Sequence, residues 1–178
     1  MYDDIPLHNI IYGEFYKQLL DDIFDHHQLT SDPSLYLYRP TAIDTSLAPT
    51  GRDSFYALVP VPNLQGKTDW ENHQATFKNE LIRLLEKKLL PNLSQHIVSE
   101  KLITPNYFSQ ELLSQHGAGF SIQPIFTQSA YFRFHNQSKN IKNLYFVGAG
   151  THPGAGVPGV LLSAKLVDNI IPQASDIL

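Results

Sequence analysis

The sequence predicts a mixed fold, α+β or α/β, in which short strands alternate with helices. Short apolar runs that are rich in aromatic and β-branched residues alternate with stretches whose apolar residues recur at helical spacing. The last of these runs, residues 144–147, leads into a glycine-rich loop and then into an apolar helix. The presence of both strands and helices in one short chain favours a sheet with helices packed on it.

Composition excludes several classes of function. The 178 residues are 42% hydrophobic, which is enough for a core, and the net charge of −4 with scattered basic residues does not predict a nucleic-acid partner. There is no cysteine, so thiolate catalysis and cysteine-bound metal are excluded. The N-terminal residues lack the apolar run of a signal peptide, and no stretch reaches the length of a membrane span. We expect a cytoplasmic location.

The N-terminal part predicts a small sheet with one helix. Residues 10–12 read as a strand that ends at Gly13, and residues 14–26 carry apolar side chains at helical spacing. Residues 35–38 and 55–61 read as two further strands, which we expect to pair antiparallel.

The middle of the chain predicts a long helix and a short one. Thr68 and Glu71 fit a capping box, and the helix behind them has a single apolar stripe formed by Phe77, Leu81, Leu84, Leu85 and Leu89. Residues 97–103 are predicted to form another strand. Thr104 and Pro105 then begin a short polar helix that we expect to end at Gly117.

Five glycines lie within the twelve residues 148–159, which we call the glycine segment. It follows the predicted buried strand 144–147 and precedes a helix that we expect to begin at Pro158 and to stop at Pro172. A loop without side chains at a helix N-terminus lets backbone N–H groups and the helix dipole approach an anionic or electron-rich ligand.

Residues 154–159 match the G-x-G-x-x-G pattern of dinucleotide-binding folds and open a helix. The complete fingerprint also needs a second strand after the helix and an acidic residue roughly 20 positions on. Asp168 and Asp176 cannot supply that acid, so we expect no complete Rossmann unit in this chain. A tight loop without any ligand stays open as an alternative for the glycines.

Residues 143–165 resemble the C-terminal flavin-binding signature of bacterial-type, lycopene-forming phytoene desaturases, which are FAD-dependent carotenoid desaturases. Further motifs occur in the same order as in that family: Ser46-Leu-Ala-Pro49, Val59-Pro-Val-Pro62, Thr127-Gln-Ser-Ala130 and Phe132-Arg133. Tyr131 and Phe134 stand where the family leads us to expect Trp and Pro, a departure that bears on substrate fit.

The resemblance implies the C-terminal fragment of a two-domain FAD flavoprotein. Residues 1–137 would form part of the substrate-binding domain, and residues 138–178 would be the last strand, loop and helix of the Rossmann-like FAD domain. The N-terminal dinucleotide-binding half would be absent. We therefore expect this chain by itself neither to bind FAD tightly nor to desaturate a substrate. A truncated enzyme, a split enzyme with a separate N-terminal half as a partner, and a remnant stay open as alternatives.

The resemblance further implies that FAD contacts Gly148, Gly150, Thr151, His152, Gly156, Val157, Pro158 and Gly159. The substrate would be phytoene or a related hydrophobic polyene, with peripheral membrane contact as an open alternative, and no catalytic acid or base is singled out. Two other functions stay open: an inactive remnant or binding module that keeps the fold, and another amine-oxidase-like or retinol-saturase-like flavoprotein.

Two roles are possible for several other polar and aromatic residues. The histidines lack metal-ligand spacing, so we expect no metal site. His152 either contacts cofactor or hydrogen bonds the loop, and Arg133 either pairs with a carboxylate or lies near the flavin. The aromatic residues among 126–135 either belong to the core or wall a polyene tunnel. Ser163 lies in an apolar helix without a nucleophile motif, which argues against a serine hydrolase.

Overall fold

The computed structural model describes residues 1–123 and 125–172. The chain divides into two compact units, Met1–Leu112 and Leu113–Leu178. The boundary predicted between residues 137 and 138 lies inside the second unit, because the backbone N–H of Phe146 donates to the Asn136 carbonyl at 2.8 Å. Asp176 lies outside the described residues. The assignment of the two parts to a substrate domain and an FAD domain stays a prediction.

The first unit contains a three-stranded antiparallel sheet in the order β1-β2-β3. Its strands are β1 His8–Ile11, β2 Leu35–Tyr38 and β3 Tyr56–Leu58. The predicted antiparallel pairing of β2 with β3 is confirmed. The first strand lies at residues 8–11 instead of 10–12 and pairs with β2, and β3 is shorter than the predicted residues 55–61. A small sheet with helices is therefore the observed architecture of this unit.

The described part of the chain contains five α-helices, four in the first unit and one in the second. They are α1 Tyr16–Phe24, α2 Trp70–Lys88, α3 Leu93–His96, α4 Pro105–Gln110 and α5 Val157–Asp168. None of the helices formed by these described residues is both long enough and apolar enough to cross a membrane.

The core of the first unit forms where β2 meets the end of α2. Leu35 and Leu37 on one face of β2 pack with Leu85 and Leu90, and all four are buried. Residues two apart on a strand share a face, so the alternation along β2 directs both leucines to the same side. The predicted apolar stripe of α2 is confirmed by the burial of Phe77 and Leu85.

The start of α2 differs from the predicted capping box. The Asp69 carboxylate, not the Thr68 hydroxyl, accepts the backbone N–H of Asn72 at 3.2 Å. Because the helix begins at Trp70, Asp69 is the residue placed to reach the third helical N–H. The Asn72 side chain also donates to this carboxylate, and these two hydrogen bonds lower the pKa of Asp69.

Two predictions for residues 97–117 are wrong. Residues 97–103 form no strand, and Val98 is 71% exposed, because no neighbouring segment of the described residues pairs with them. Helix α4 begins at Pro105 as predicted but ends at Gln110, and Leu113 and His116 have positive φ angles that break the helical path before Gly117.

A buried ion pair connects the N-terminus of the first unit to its sheet. The Asp53 carboxylate accepts hydrogen bonds from the Arg39 guanidinium, the Thr41 hydroxyl and the Tyr2 backbone N–H, at 2.7 to 2.9 Å. Burial raises the pKa of Asp53, but these hydrogen bonds outweigh burial, so the pKa lies below its ordinary value. The ionised carboxylate is therefore the form that the fold stabilises.

We predict that Asp53→Asn lowers the free energy of unfolding by about 3 kcal/mol at neutral pH, because the buried Arg39 loses its buried counter-charge and keeps only the exposed Asp3 carboxylate, at 3.6 Å. Urea unfolding followed by the fluorescence of Trp70, the only tryptophan, measures this. The folded pKa is depressed, so the stabilisation is present above the unfolded value of about 3.9 and is lost as pH falls through the folded value.

The matched control is Asp4→Asn, which alters an exposed carboxylate. It should leave the unfolding midpoint nearly unchanged. Equal midpoints for both variants at neutral pH would show that the Asp53 pair does not stabilise the fold.

Candidate functional site

Residues 144–147 enter the glycine segment as an irregular stretch. The predicted buried strand is wrong: Tyr145 forms an isolated antiparallel bridge with Gln137, and Val147 is 58% exposed. Residues 136–138 pair with one edge of the stretch, and no described strand covers the other edge. A buried strand needs partners for the backbone groups on both of its edges.

The Asn136 side chain holds both ends of the first loop of the glycine segment. Its amide nitrogen lies 3.1 Å from the Phe146 carbonyl, 3.0 Å from the His152 carbonyl and 3.3 Å from the Thr151 hydroxyl. Asn136 is 8% exposed. Asn136 is the first residue of a polar stretch, residues 136–142, which we call the polar connector. The signal in the sequence that could have identified it is that an asparagine amide can donate to two carbonyls at once.

The turn between the two ends is closed by Thr151. Its backbone N–H and its hydroxyl both approach the Gly148 carbonyl, at 3.2 and 3.0 Å. Gly148 has a φ of +114°, a conformation that side chains disfavour. The hydroxyl of Thr151 is thus engaged inside the turn.

His152 connects the turn to the strand-like residues before it. Its backbone N–H donates to the Phe134 carbonyl at 2.8 Å, and Phe134 and Thr151 form a parallel bridge. The peptide bond between His152 and Pro153 is cis. The backbone of His152 therefore supports the loop, while a contact of its side chain with a cofactor stays a prediction.

Ser163 attaches the turn to α5. Its hydroxyl oxygen accepts the Gly148 N–H at 2.9 Å and donates to the Val160 carbonyl at 2.6 Å, and the residue is completely buried. A serine inside an apolar helix must satisfy its hydroxyl when it is buried. That requirement was the signal in the sequence that could have identified Ser163 as a structural partner of the loop.

The start of α5 carries no side-chain cap. Gly156 is the N-cap residue and has a φ of +91°. The helix begins at Val157, one residue before the predicted start, so Pro158 is its second residue and not its first. The helix ends at Asp168, before the predicted stop at Pro172. A Cβ atom on Gly159 would lie 2.6 Å from the Gly154 carbonyl oxygen, so only glycine permits this close approach.

Several positions of the glycine segment face open space. A Cβ atom on Gly148 or Gly156 would meet nothing within 4 Å, whereas one on Gly150 would lie 2.7 Å from the Ser121 hydroxyl. The segment contains no acidic residue. Exposed backbone, small residues and an uncapped helix start therefore fit a large, electron-rich ligand group.

Arg133 donates hydrogen bonds to the glycine segment. Its Nε donates to the Ala149 carbonyl at 3.1 Å, and its Nη2 donates to the same oxygen. It forms no ion pair with a carboxylate of the described residues, which contradicts one of its two predicted roles.

The aromatic residues that precede the segment are exposed. Phe126, Tyr131 and Phe134 are 82%, 74% and 68% exposed, so they do not belong to the core of the second unit. Their role as the wall of a polyene tunnel stays a prediction. Among residues 1–123 and 125–172, no group of three metal-binding side chains could hold a metal ion.

Comparison with known proteins identifies the family. The model of the flavin containing amine oxidoreductase family matches residues 15–167 of this chain. The chain belongs to this family. Membership implies a flavin cofactor, and the open glycine segment described above fits such a group.

Curated proteins that are similar to this chain are named as desaturases. A neurosporene-forming phytoene desaturase from Rhodobacter capsulatus is 44% identical over 98% of this chain and 34% of its own length. A lycopene-forming phytoene desaturase from Pantoea ananas is 45% identical over 92% and 34%. The 4,4'-diapophytoene desaturase of Staphylococcus aureus is 41% identical over 95% and 35%. The predicted resemblance is confirmed, and the chain spans about a third of the length of these relatives.

We predict that Asn136→Ala loosens the first loop of the glycine segment, because three acceptors lose their shared donor. Removing a buried hydrogen-bonding partner costs about 1–3 kcal/mol. Amide hydrogen exchange of His152 should accelerate about tenfold or more. Asn140→Ala, at an exposed asparagine, is the control, and equal exchange rates in the two variants would contradict the role of Asn136.

We also predict that Gly159→Ala destabilises the start of α5. In an ordinary helix this change would stabilise by about 1 kcal/mol, but here the new Cβ would collide with a backbone oxygen. The amide of Val160, which donates to the Gly156 carbonyl, should exchange faster. Val157→Ala at the exposed first position should not have this effect, and slower exchange in Gly159→Ala would refute the steric argument.

Proposed function

We propose that this chain contributes the cofactor-facing C-terminal part of an FAD-dependent desaturase that acts on phytoene or a related isoprenoid polyene. The observation that supports this most directly is the glycine segment. Asn136, Ser163 and Arg133 hold it by hydrogen bonds, and a Cβ at Gly148 or Gly156 would meet nothing within 4 Å. The names of the relatives supply the substrate class.

The residues proposed to border FAD have distinct tasks. Gly148, Gly150, Thr151 and His152 form the turn that lets the ligand approach the backbone, and Thr151 closes that turn through Gly148. At the start of α5, Gly156 to Gly159 present the positive end of the helix dipole. That dipole stabilises negative charge on an adjacent group.

Bound FAD would supply the oxidant for desaturation of the polyene: a hydride equivalent would be taken from one carbon and a proton lost from the adjacent carbon, whose C–H electron pair would form the new C=C bond. The positive start of α5 would favour the negative charge that a reduced flavin gathers at its pyrimidine edge, which makes the bound flavin a better oxidant.

Exposed apolar residues on α5 support the need for a partner polypeptide. Leu161 and Leu162 are 67% and 46% exposed, and Val147 before the turn is also exposed. A helix that is apolar nearly all round normally lies inside a core. We propose that a separate dinucleotide-binding half covers this surface and holds the ADP part of FAD.

The decisive test is reconstitution. The chain would be co-expressed with the dinucleotide-binding half of a phytoene desaturase, and we expect co-purification, stoichiometric flavin absorbance and a red-shifted polyene spectrum after incubation with phytoene or its C30 counterpart. The chain purified alone should lack stoichiometric flavin.

Leu161→Asp should abolish co-purification, because it places a charge on the proposed apolar contact. Lys139→Asp, on the exposed polar connector, is the matched control and should behave as the unaltered chain. Absence of both flavin and a spectral change in the co-purified pair would reject the desaturase function. Co-purification without flavin would indicate a binding module.

A further inference from the structure

The Arg133 guanidinium is a buried positive charge that has no counter-charge among the described residues. The residue is 6% exposed, and its Nε and Nη2 both donate to one acceptor, the Ala149 carbonyl. No carboxylate of residues 1–123 and 125–172 lies within ion-pair distance of it. By contrast, the buried Arg39 pairs with Asp53.

A single carbonyl does not offset the burial of a full charge. Removing a guanidinium from water costs several kcal/mol, and hydrogen bonds to one neutral oxygen offset only part of that free energy. The guanidinium also has five N–H groups, more than one carbonyl can accept. Nη1 makes no hydrogen bond to the described residues. Every fully buried side-chain nitrogen of the described residues has a hydrogen-bond partner, so Nη1 must be accessible to solvent.

The guanidinium lies beside the loop that leads into α5. Its Cζ and Nε are 3.8 Å from the position that a Cβ on Gly154 would occupy. Gly154 in turn contacts Gly159 in the first turn of the helix. The fixed charge of Arg133 and the partial positive charge of the twelve-residue helix therefore act on the same loop.

We propose that Arg133 binds an anionic oxygen group of the flavin dinucleotide through its free Nη1 edge. This inference rests on the proposed function and adds a binding residue to it. Two groups of the dinucleotide share the required chemistry: the pyrophosphate and the pyrimidine edge of the reduced ring. Arginine suits both, because its donors are planar and its charge is permanent.

The first experiment uses the chain as it is and needs no substitution. NMR would follow the Arg133 Nε–H resonance and the amides of Ala149, Gly154 and Gly156 during titration with inorganic pyrophosphate. A separate anaerobic titration would use reduced lumiflavin, which has no phosphate. Shifts with pyrophosphate assign Arg133 to the dinucleotide backbone, and shifts with lumiflavin assign it to the ring.

The second experiment compares variants. Arg133→Gln should weaken binding of the effective probe at least about tenfold, as expected for a lost charge-assisted contact, and Arg133→Lys should restore part of it. Lys142→Gln, an exposed neighbour on the connector, should leave the affinity unchanged. Circular dichroism checks that the variants fold, and if Arg133→Gln does not, the titration of the unaltered chain decides.

Absence of Arg133 shifts with both probes would overturn the proposal, as would equal affinities in Arg133→Gln and the unaltered chain. This failure differs from failure of the proposed function. The reconstituted protein could carry flavin and convert the polyene while Arg133 binds neither probe. That result would support the proposed function and would leave Arg133 only the structural role of donating to the Ala149 carbonyl.

Discussion

The second unit depends on one side chain, the amide of Asn136. It donates to carbonyls at both ends of the turn that contains Gly148, and the rest of the glycine segment continues from that turn. Backbone carbonyls in a glycine loop have few regular partners, so a buried amide that satisfies two of them stabilises one conformation among many. The hydrogen bonds of Asn136 hold the turn in the conformation that leaves open space at Gly148.

The same logic explains why three polar residues surround a segment that has almost no side chains. Asn136 holds the carbonyls, Ser163 accepts the Gly148 N–H, and Arg133 donates to Ala149. Glycines lose more conformational entropy on folding than other residues, which raises the cost of ordering this loop. Buried hydrogen bonds from neighbouring segments offset that cost, and the space next to Gly148 and Gly156 stays open.

Sequence reasoning succeeded where the signal was local. The three strands and α2 follow from periodicity within a few residues, and their hydrophobic faces are the ones that the core uses. It failed at residues 97–103 and 144–147, where the same apolar composition lacks a strand partner among the described residues. Strand formation requires a neighbour distant in the chain, which composition does not reveal.

For the glycine segment, the sequence by itself determined the family and the need for small residues at the start of a helix. Glycine permits the positive φ angles that Gly148, Gly154 and Gly156 adopt, so the residue types at these positions are compatible with the observed turns. The tertiary structure alone decided which side chains hold the loop and which edge of it is open. Asn136, Ser163 and Arg133 reach it across 10 to 16 positions of the chain, and contacts of that range depend on packing rather than on local pattern.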